Sequence, residues 1–251
     1  MGPIVRSSHA RRTLGTGAHE CLVDFVAVVE PIVELLTGRT VAHELLLRPR
    51  SGETLVGWHR DRGDTEWRGF TYQVLQLAAG ALVSRDLPLH VNVTALDLAT
   101  PSFATLVAEI VPASAMERLV LELTEQFPVL DEPATAANVV ALRRAGVRLA
   151  IDDYGEGWSG LATLLLVEPD VVKVTVSMLE SEAGRGSAAE ILALAHDLGA
   201  TTVLEQIERP DQLDWAIEAG FALGQGRLWL GATDALPLLR DFGAEETPLT
   251  R

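Results

Sequence analysis

The sequence predicts an α/β fold and, within that class, a single (β/α)8 TIM-like barrel. Three observations carry the prediction. Short apolar, β-branched runs alternate with helical patterns along the chain, as they do when helices pack on a largely parallel sheet. The runs number about eight and the chain has 251 residues, a usual length for a barrel that folds as one domain. The polar residues inside this frame cluster at the ends of the runs, where a barrel of this kind carries its chemistry. An open doubly wound sheet is the second architecture.

The strand-like runs are 22–29, 40–47, 88–93, 118–124, 147–152, 171–175, 201–205 and 221–224. Helical patterns fill most of the intervals, at 66–84, 102–110, 133–145, 158–166, 186–199 and 209–219. The pattern at 186–199 repeats Ile191, Leu194, Ala195 and Leu198 on one face and stops at Gly199, a residue suited to a left-handed helix end. The pattern at 133–145 opens on Pro133, at home in a first helical position, and stops before Gly146. The polar, irregular stretch 48–65 reads as a loop over one end of the barrel. Residues 1–20 read as a flexible leader, 21–241 as the barrel domain and 242–251 as a flexible tail. No internal repeat or low-complexity linker divides the chain.

Composition narrows the function. With 48% hydrophobic and 22% charged residues, the chain can bury a large core and is not of disordered type. Its net charge of −15 opposes binding to nucleic-acid polymers or anionic membranes, which attract Lys and Arg. A small anionic ligand remains acceptable where metal ions screen it. The single cysteine, Cys21, forms no internal disulfide and suits the cytoplasm. No apolar run is long enough to span a bilayer.

Along the predicted strands, Glu44 lies in the second and Asn92 at the end of the third. Glu122 and Glu125 end the fourth, and Asp152 and Asp153 end the fifth. Lys173 lies in the sixth, Glu205 and Glu208 end the seventh, and Gln225 follows the eighth. Singly, each has an ordinary explanation: a helix cap, a helix-start acid or a solvated edge. Together on one barrel face, the carboxylates repel unless cations lie among them. Oxygen donors with an amide are what Mg2+, Mn2+ or Ca2+ prefer. The adjacent acids Asp152 and Asp153 could bridge two ions, as in metal-assisted phosphodiester hydrolysis. An enolase-type barrel also sets acids on Mg2+ with a Lys base. A glycosidase needs only two carboxylates. The residues alone therefore define a metal-dependent barrel enzyme.

The motifs, in order, are "EPIVELLTGRTVAHELLLR", "VNVT", "LELTEQF", "LRRAGVRLAIDDYGEGWSGLATL", "EPDVVKV" and "ALAHDLGATTVLEQIERPDQLDWAIEAGFALGQGRLWL". They resemble the EAL domain family, bacterial cyclic di-GMP phosphodiesterases, from about Val23 to Leu230. "ELLLR" stands where the family has its Glu-Ala-Leu-x-Arg signature, so Leu45 replaces Ala. The resemblance implies a barrel with one strand running against the others, and hydrolysis of cyclic di-GMP to linear pGpG. It implies two ions, Mg2+ or Mn2+, with Ca2+ inhibitory. Glu44, Asn92, Glu122 and Asp152 would hold one ion; Asp152, Asp153 and Glu205 the other. Lys173 would orient or help activate the attacking water, and Gln225 would complete the network. Arg48 would contact a ligand phosphate, with Leu46 and Glu30 beside it in the substrate pocket. Glu125 and Glu208 would brace loops, Glu125 holding the 153–160 loop. A homodimer near that loop and a regulatory protein partner are further implications; Trp158 in that loop reads as a core-packing residue ahead of an interface one.

The chain departs from the family at several points. Thr175 replaces an Asp in strand six, Gln206 a Gly between the acids of strand seven, and Glu30 a Gln. The segment between Arg48 and Asn92 is shorter than usual. These departures keep open a receptor or protein-interaction module without useful turnover. We favour the hydrolase, because every expected ligand residue is present, which coordination demands and partner binding does not.

Overall fold

Two long strands, β1 (Phe25–Glu34) and β2 (Thr40–Pro49), form an antiparallel hairpin in the computed structural model. The structure describes residues 25–50, 64–124, 132–155 and 160–229. The expected leader and tail, Cys21, Glu125, Trp158 and Ser159 lie outside the described residues. From β2 onward the strands run parallel: β3 (Leu89–Val93), β4 (Leu119–Thr124), β5 (Arg148–Asp152), β6 (Val171–Thr175), β7 (Thr201–Glu205) and β8 (Leu223–Gln225). β8 closes onto β1, again antiparallel, and completes an eight-stranded barrel. One strand is therefore reversed against the other seven, and an all-parallel count is wrong by that strand.

Alternation along each strand sends every second side chain inward. In β4, Val120 and Glu122 face the barrel interior, while Leu119, Leu121 and Leu123 join the outer core against the helices. Ile32, Ala42, Val120, Ala150, Val171 and Val203 form an apolar plug inside the barrel. One inward position further along several strands, the residues turn polar: Glu44, Glu122, Asp152, Lys173 and Glu205. The plug fills one end of the barrel, so these polar groups stand at the other, the carboxyl end of β2 through β8.

The helices are α1 (Asp64–Ser84), α2 (Ala95–Ala99), α3 (Phe103–Ile110), α4 (Glu132–Arg144), α5 (Leu161–Val167), α6 (Glu182–Asp197) and α7 (Pro210–Ala219). Several boundaries differ from those expected. β1 continues past residue 29 to Glu34 and runs through Pro31. Pairing with β8 begins only at Ile32, so Pro31 precedes that ladder, a position where proline is tolerated. α2 was not expected. Thr94 starts it with a capping box, in which its hydroxyl and Asp97 each accept from the other's backbone N–H. α5 begins at Leu161 rather than 158, behind Gly160 as its cap. α6 starts four residues before the expected 186, because the Ser181 hydroxyl accepts from the Gly184 N–H and caps it. Gly184 is needed there, since a Cβ would lie 2.0 Å from the Met178 carbonyl oxygen. Gln225 belongs to β8 rather than following it.

No helix among the described residues is long and apolar enough to cross a membrane.

Candidate active site

A cavity of about 370 Å3 opens at the polar end of the barrel, walled by Glu30, Glu44, Leu46, Arg48, Asp152, Asp153, Glu205, Gln206, Glu208, Gln225, Gly226 and Arg227. Of the residues singled out in the sequence, Asn92, Glu122 and Lys173 are not on this wall, but they contact residues that are or lie directly behind them. Glu125 lies outside the described residues.

Lys173 is the centre of the arrangement. It is fully buried, which excludes an exposed-edge role. Its Nζ lies 3.1 Å from Glu44 Oε2, 3.1 Å from Glu122 Oε1, 3.4 Å from Asp152 Oδ1 and 2.6 Å from Glu205 Oε1. Burial alone would lower the Lys173 pKa, but Asp152, Glu122, Glu205 and Glu44 raise it well above the ordinary value. It therefore stays an ammonium. The Glu44 carboxylate also accepts from Asn92 Nδ2 at 2.7 Å and from Gln225 Nε2 at 2.5 Å. Burial would raise Glu44, yet Lys173 and these hydrogen bonds outweigh it and hold its carboxyl below the usual range.

One ammonium does not balance four carboxylates. Burial pushes Glu122 well up, opposed by Lys173 and reinforced by Glu44, Asp152 and Glu205. Burial likewise pushes Glu205 well up, opposed by Lys173 and reinforced by Asp152 and Glu44. The cluster takes up protons where further positive charge is lacking. Two of its buried oxygens, Asp152 Oδ1 and Gln225 Oε1, make no hydrogen bond, and Asp152 Oδ1 has only the ion pair with Lys173 at 3.4 Å. Buried oxygens of this sort normally have partners. Asp152, Asp153 and Glu205 also bring one ligand atom each within 4.8 Å of one another. Hard oxygen donors, excess negative charge and buried oxygens without hydrogen bonds together fit a divalent cation such as Mg2+ or Mn2+.

The local backbone explains these positions. Asp153 turns left-handed directly after β5, at φ 52°, and Gln206 does so directly after β7, at φ 61°. Both residues line the cavity. Gly226 follows Gln225 at φ 150°, and a Cβ there would lie 2.2 Å from the Ile207 carbonyl oxygen. Ile207 donates its N–H to the Gln225 carbonyl and accepts from the Leu228 N–H, each at 3.0 Å. This close crossing fixes Gln225, and only glycine permits it.

Glu30 faces Glu44 across the β1–β2 ladder. Burial, and then Glu44, raise its pKa, while Arg48, Lys173 and Arg227 oppose the rise. Leu46 and Arg48 follow Glu44 on the same strand face and reach the cavity wall. Glu208 is paired with Arg227 Nη2 at 2.5 Å. Thr175, buried at the end of β6, shares a 2.6 Å hydroxyl contact with Ser177 and brings no carboxylate to the site.

Four residues on or behind this wall, His90, Gln206, Gly226 and Arg227, were missed as site residues in the sequence. His90 is buried, with Nδ1 2.5 Å from Glu122 Oε1. Burial, then Lys173, push its pKa down to about 3. Its signal was the period-two spacing that sets it on the inward face with Asn92. Arg227 adds a cation to the rim, and nothing local in "GQGRLWL" marks it. Gln206 lines the wall; its glycine-like position was the available signal.

Comparison with known proteins places this geometry in context. Cyclic di-GMP phosphodiesterase NbdA of Pseudomonas aeruginosa is 32% identical over 217 residues, 80% of this chain and 28% of NbdA. Probable cyclic di-GMP phosphodiesterase PdeI of Escherichia coli K12 is 27% identical over 223 residues, 80% of this chain and 28% of PdeI. The chain thus spans under a third of either relative's length. Among solved structures, BlrP1 of Klebsiella pneumoniae, as a manganese and cyclic di-GMP complex, superposes with a TM-score of 0.70 at 26% identity, covering 82% of this chain and 55% of that one. The EAL domain family matches residues 22–232, from β1 through the last described turn, and the chain belongs to that family.

Proposed function

We propose that this chain hydrolyses cyclic di-GMP to linear pGpG with two divalent cations, Mg2+ or Mn2+. The observation that carries the reading is the donor set at the barrel mouth. Four carboxylates surround one ammonium, and Asp152 Oδ1 and Gln225 Oε1 are buried without hydrogen bonds. Glu44, Asn92, Glu122 and Asp152 would hold one cation, and Asp152, Asp153 and Glu205 the other. Bound there, the ions would neutralise phosphodiester charge and lower the pKa of a coordinated water.

The chain's own residues do the rest. Lys173, kept protonated by its four acids, orients a water rather than accepting its proton. Arg48 and Arg227 set positive charge at the rim for a substrate phosphate. Glu30 presents an acceptor to the N1–H and N2–H2 edge of guanine, with Leu46 as an apolar wall. Glu208 braces Arg227, and Glu125 is assigned to the loop that follows β5. The likeness to the cyclic di-GMP phosphodiesterase NbdA and to the BlrP1 complexes with cyclic di-GMP and manganese or calcium supports the same ligand and ion class. Ca2+ is assigned as an inhibitor that occupies the site without turnover. We place the chain in the cytoplasm, in keeping with its one cysteine. A homodimer is assigned to the α5 face, where Leu161 and Leu165 are more than half exposed; light scattering tests it.

A second reading, a cyclic di-GMP receptor or protein-interaction module with little turnover, is favoured by Thr175, which withholds an acid from the second cation. The deciding experiment incubates the protein with cyclic di-GMP in Mg2+ and in Mn2+, beside Glu44→Ala. pGpG formed only by the unmutated protein with metal supports the hydrolase. Intact cyclic di-GMP overturns it. Calorimetry in Ca2+ then separates a receptor, with saturable heat, from a protein-binding module.

A further inference from the structure

We propose that His90 is a positioning residue for the cation site, holding Glu122 in its ligating orientation from below. This rests on the metal-site reading above. β3 lies between β2 and β4 in the barrel. Its two successive inward residues each hold a carboxylate of a different neighbour. Asn92 Nδ2 donates to Glu44 Oε1 of β2 at 2.7 Å, and His90 Nδ1 lies 2.5 Å from Glu122 Oε1 of β4. The ladder pairs Asn92 with Glu122 and His90 with Val120. The imidazole therefore sits level with the apolar plug and reaches diagonally up to the acid.

Glu122 needs such a support. Its other polar contacts run to Lys173, at 3.1 Å from Oε1 and 3.2 Å from Oε2. That ammonium is shared with Glu44, Asp152 and Glu205 and sets no one orientation for any of them. The bond to His90 comes from another strand and fixes Oε1 whichever partner carries the proton. Hydrogen bonds to ligating carboxylates are worth about 10–100-fold in metal affinity.

The test reads Mn2+ affinity and stoichiometry by calorimetry without substrate, so it does not depend on turnover. His90→Asn keeps a hydrogen-bonding atom near the Nδ1 position. His90→Leu keeps apolar bulk and removes the bond. His90→Leu should weaken Mn2+ binding by about tenfold, with His90→Asn recovering most of the loss. The loss should disappear in a Glu122→Gln background, because the effect runs through that carboxylate. Melting curves confirm that each variant folds, and if His90→Leu does not, His90→Asn compared with His90→Ala carries the test. Mn2+ affinity unchanged in the folded variants overturns the proposal while leaving the metal site intact. A loss of equal size in the Glu122→Gln background also overturns it and makes His90 merely structural. No Mn2+ binding by the unmutated protein overturns the underlying metal reading.

Discussion

Replacing Lys173 by Met removes the one cation inside the cluster and keeps the volume of its stem. At an effective dielectric constant of about 20, an ion pair at 3.1 Å gains roughly 5 kcal/mol of attraction. The net loss is smaller than four such pairs, because Glu122 and Glu205 are pushed toward their protonated forms and the ammonium no longer pays its own desolvation. Breaking a buried pair by removing one partner costs about 3–5 kcal/mol. For a chain of this size each kcal/mol moves the melting temperature by about 2–4 °C, so metal-free Lys173→Met should melt on the order of 10 °C lower. Divalent cations should restore part of the loss by supplying charge to the same carboxylates. The assay is thermal unfolding at neutral pH, in chelator and in millimolar Mn2+. A metal-free Tm within 2 °C of the unmutated protein would refute the reasoning, since Lys173 would then not be the counter-charge of the cluster.

Three further outcomes are expected. Above pH 6.5, the ordinary histidine value, His90 is neutral both folded and unfolded, while Glu122 and Glu205 still hold more protons folded than unfolded. The contribution of Glu122 and Glu205 to metal-free stability should therefore be lost as pH rises through their raised folded pKa values, and Mn2+ should flatten the loss; Tm against pH, with and without Mn2+, checks it. Gln206→Gly relieves a left-handed backbone at φ 61° and should stabilise the fold by roughly 0.5–1 kcal/mol, the relief being partly offset by unfolded-chain entropy; denaturant unfolding reads the sign. Thr175→Asp adds an acid opposite Glu205 in the β6–β7 ladder, and should lower metal-free stability while raising Mn2+ affinity by about tenfold. Unchanged affinity in calorimetry would mean that the missing acid does not limit the site.

Much of the site was legible because strand chemistry is local. In "VLELTEQF" and "RLAIDDYG" an apolar run ends in acids, and alternation alone decides that Glu122 and Asp152 share the inward face. Gly146, Gly199 and the strand periods fixed turns and faces through backbone sterics that need no distant partner. The sequence by itself thus determined the barrel class and the polar end, and together with the family resemblance it named nine of the twelve residues on the wall. Only tertiary structure decided who meets whom. Glu44 and Gln225 are 181 positions apart and bond at 2.5 Å because β8 closes on a reversed β1. Lys173 could have been an exposed-edge lysine until closure enclosed it among acids from β2, β4, β5 and β7. His90 shows the same limit. Its inward face follows from a period of two, but its bond to Glu122 follows from the β3–β4 register and the reach of the imidazole. Arg227 meets Glu208 only because β8 follows β7 around the barrel. Faces are set by the chain's own geometry, whereas pairings between strands are set by register and closure, which the whole core fixes together and no short motif records.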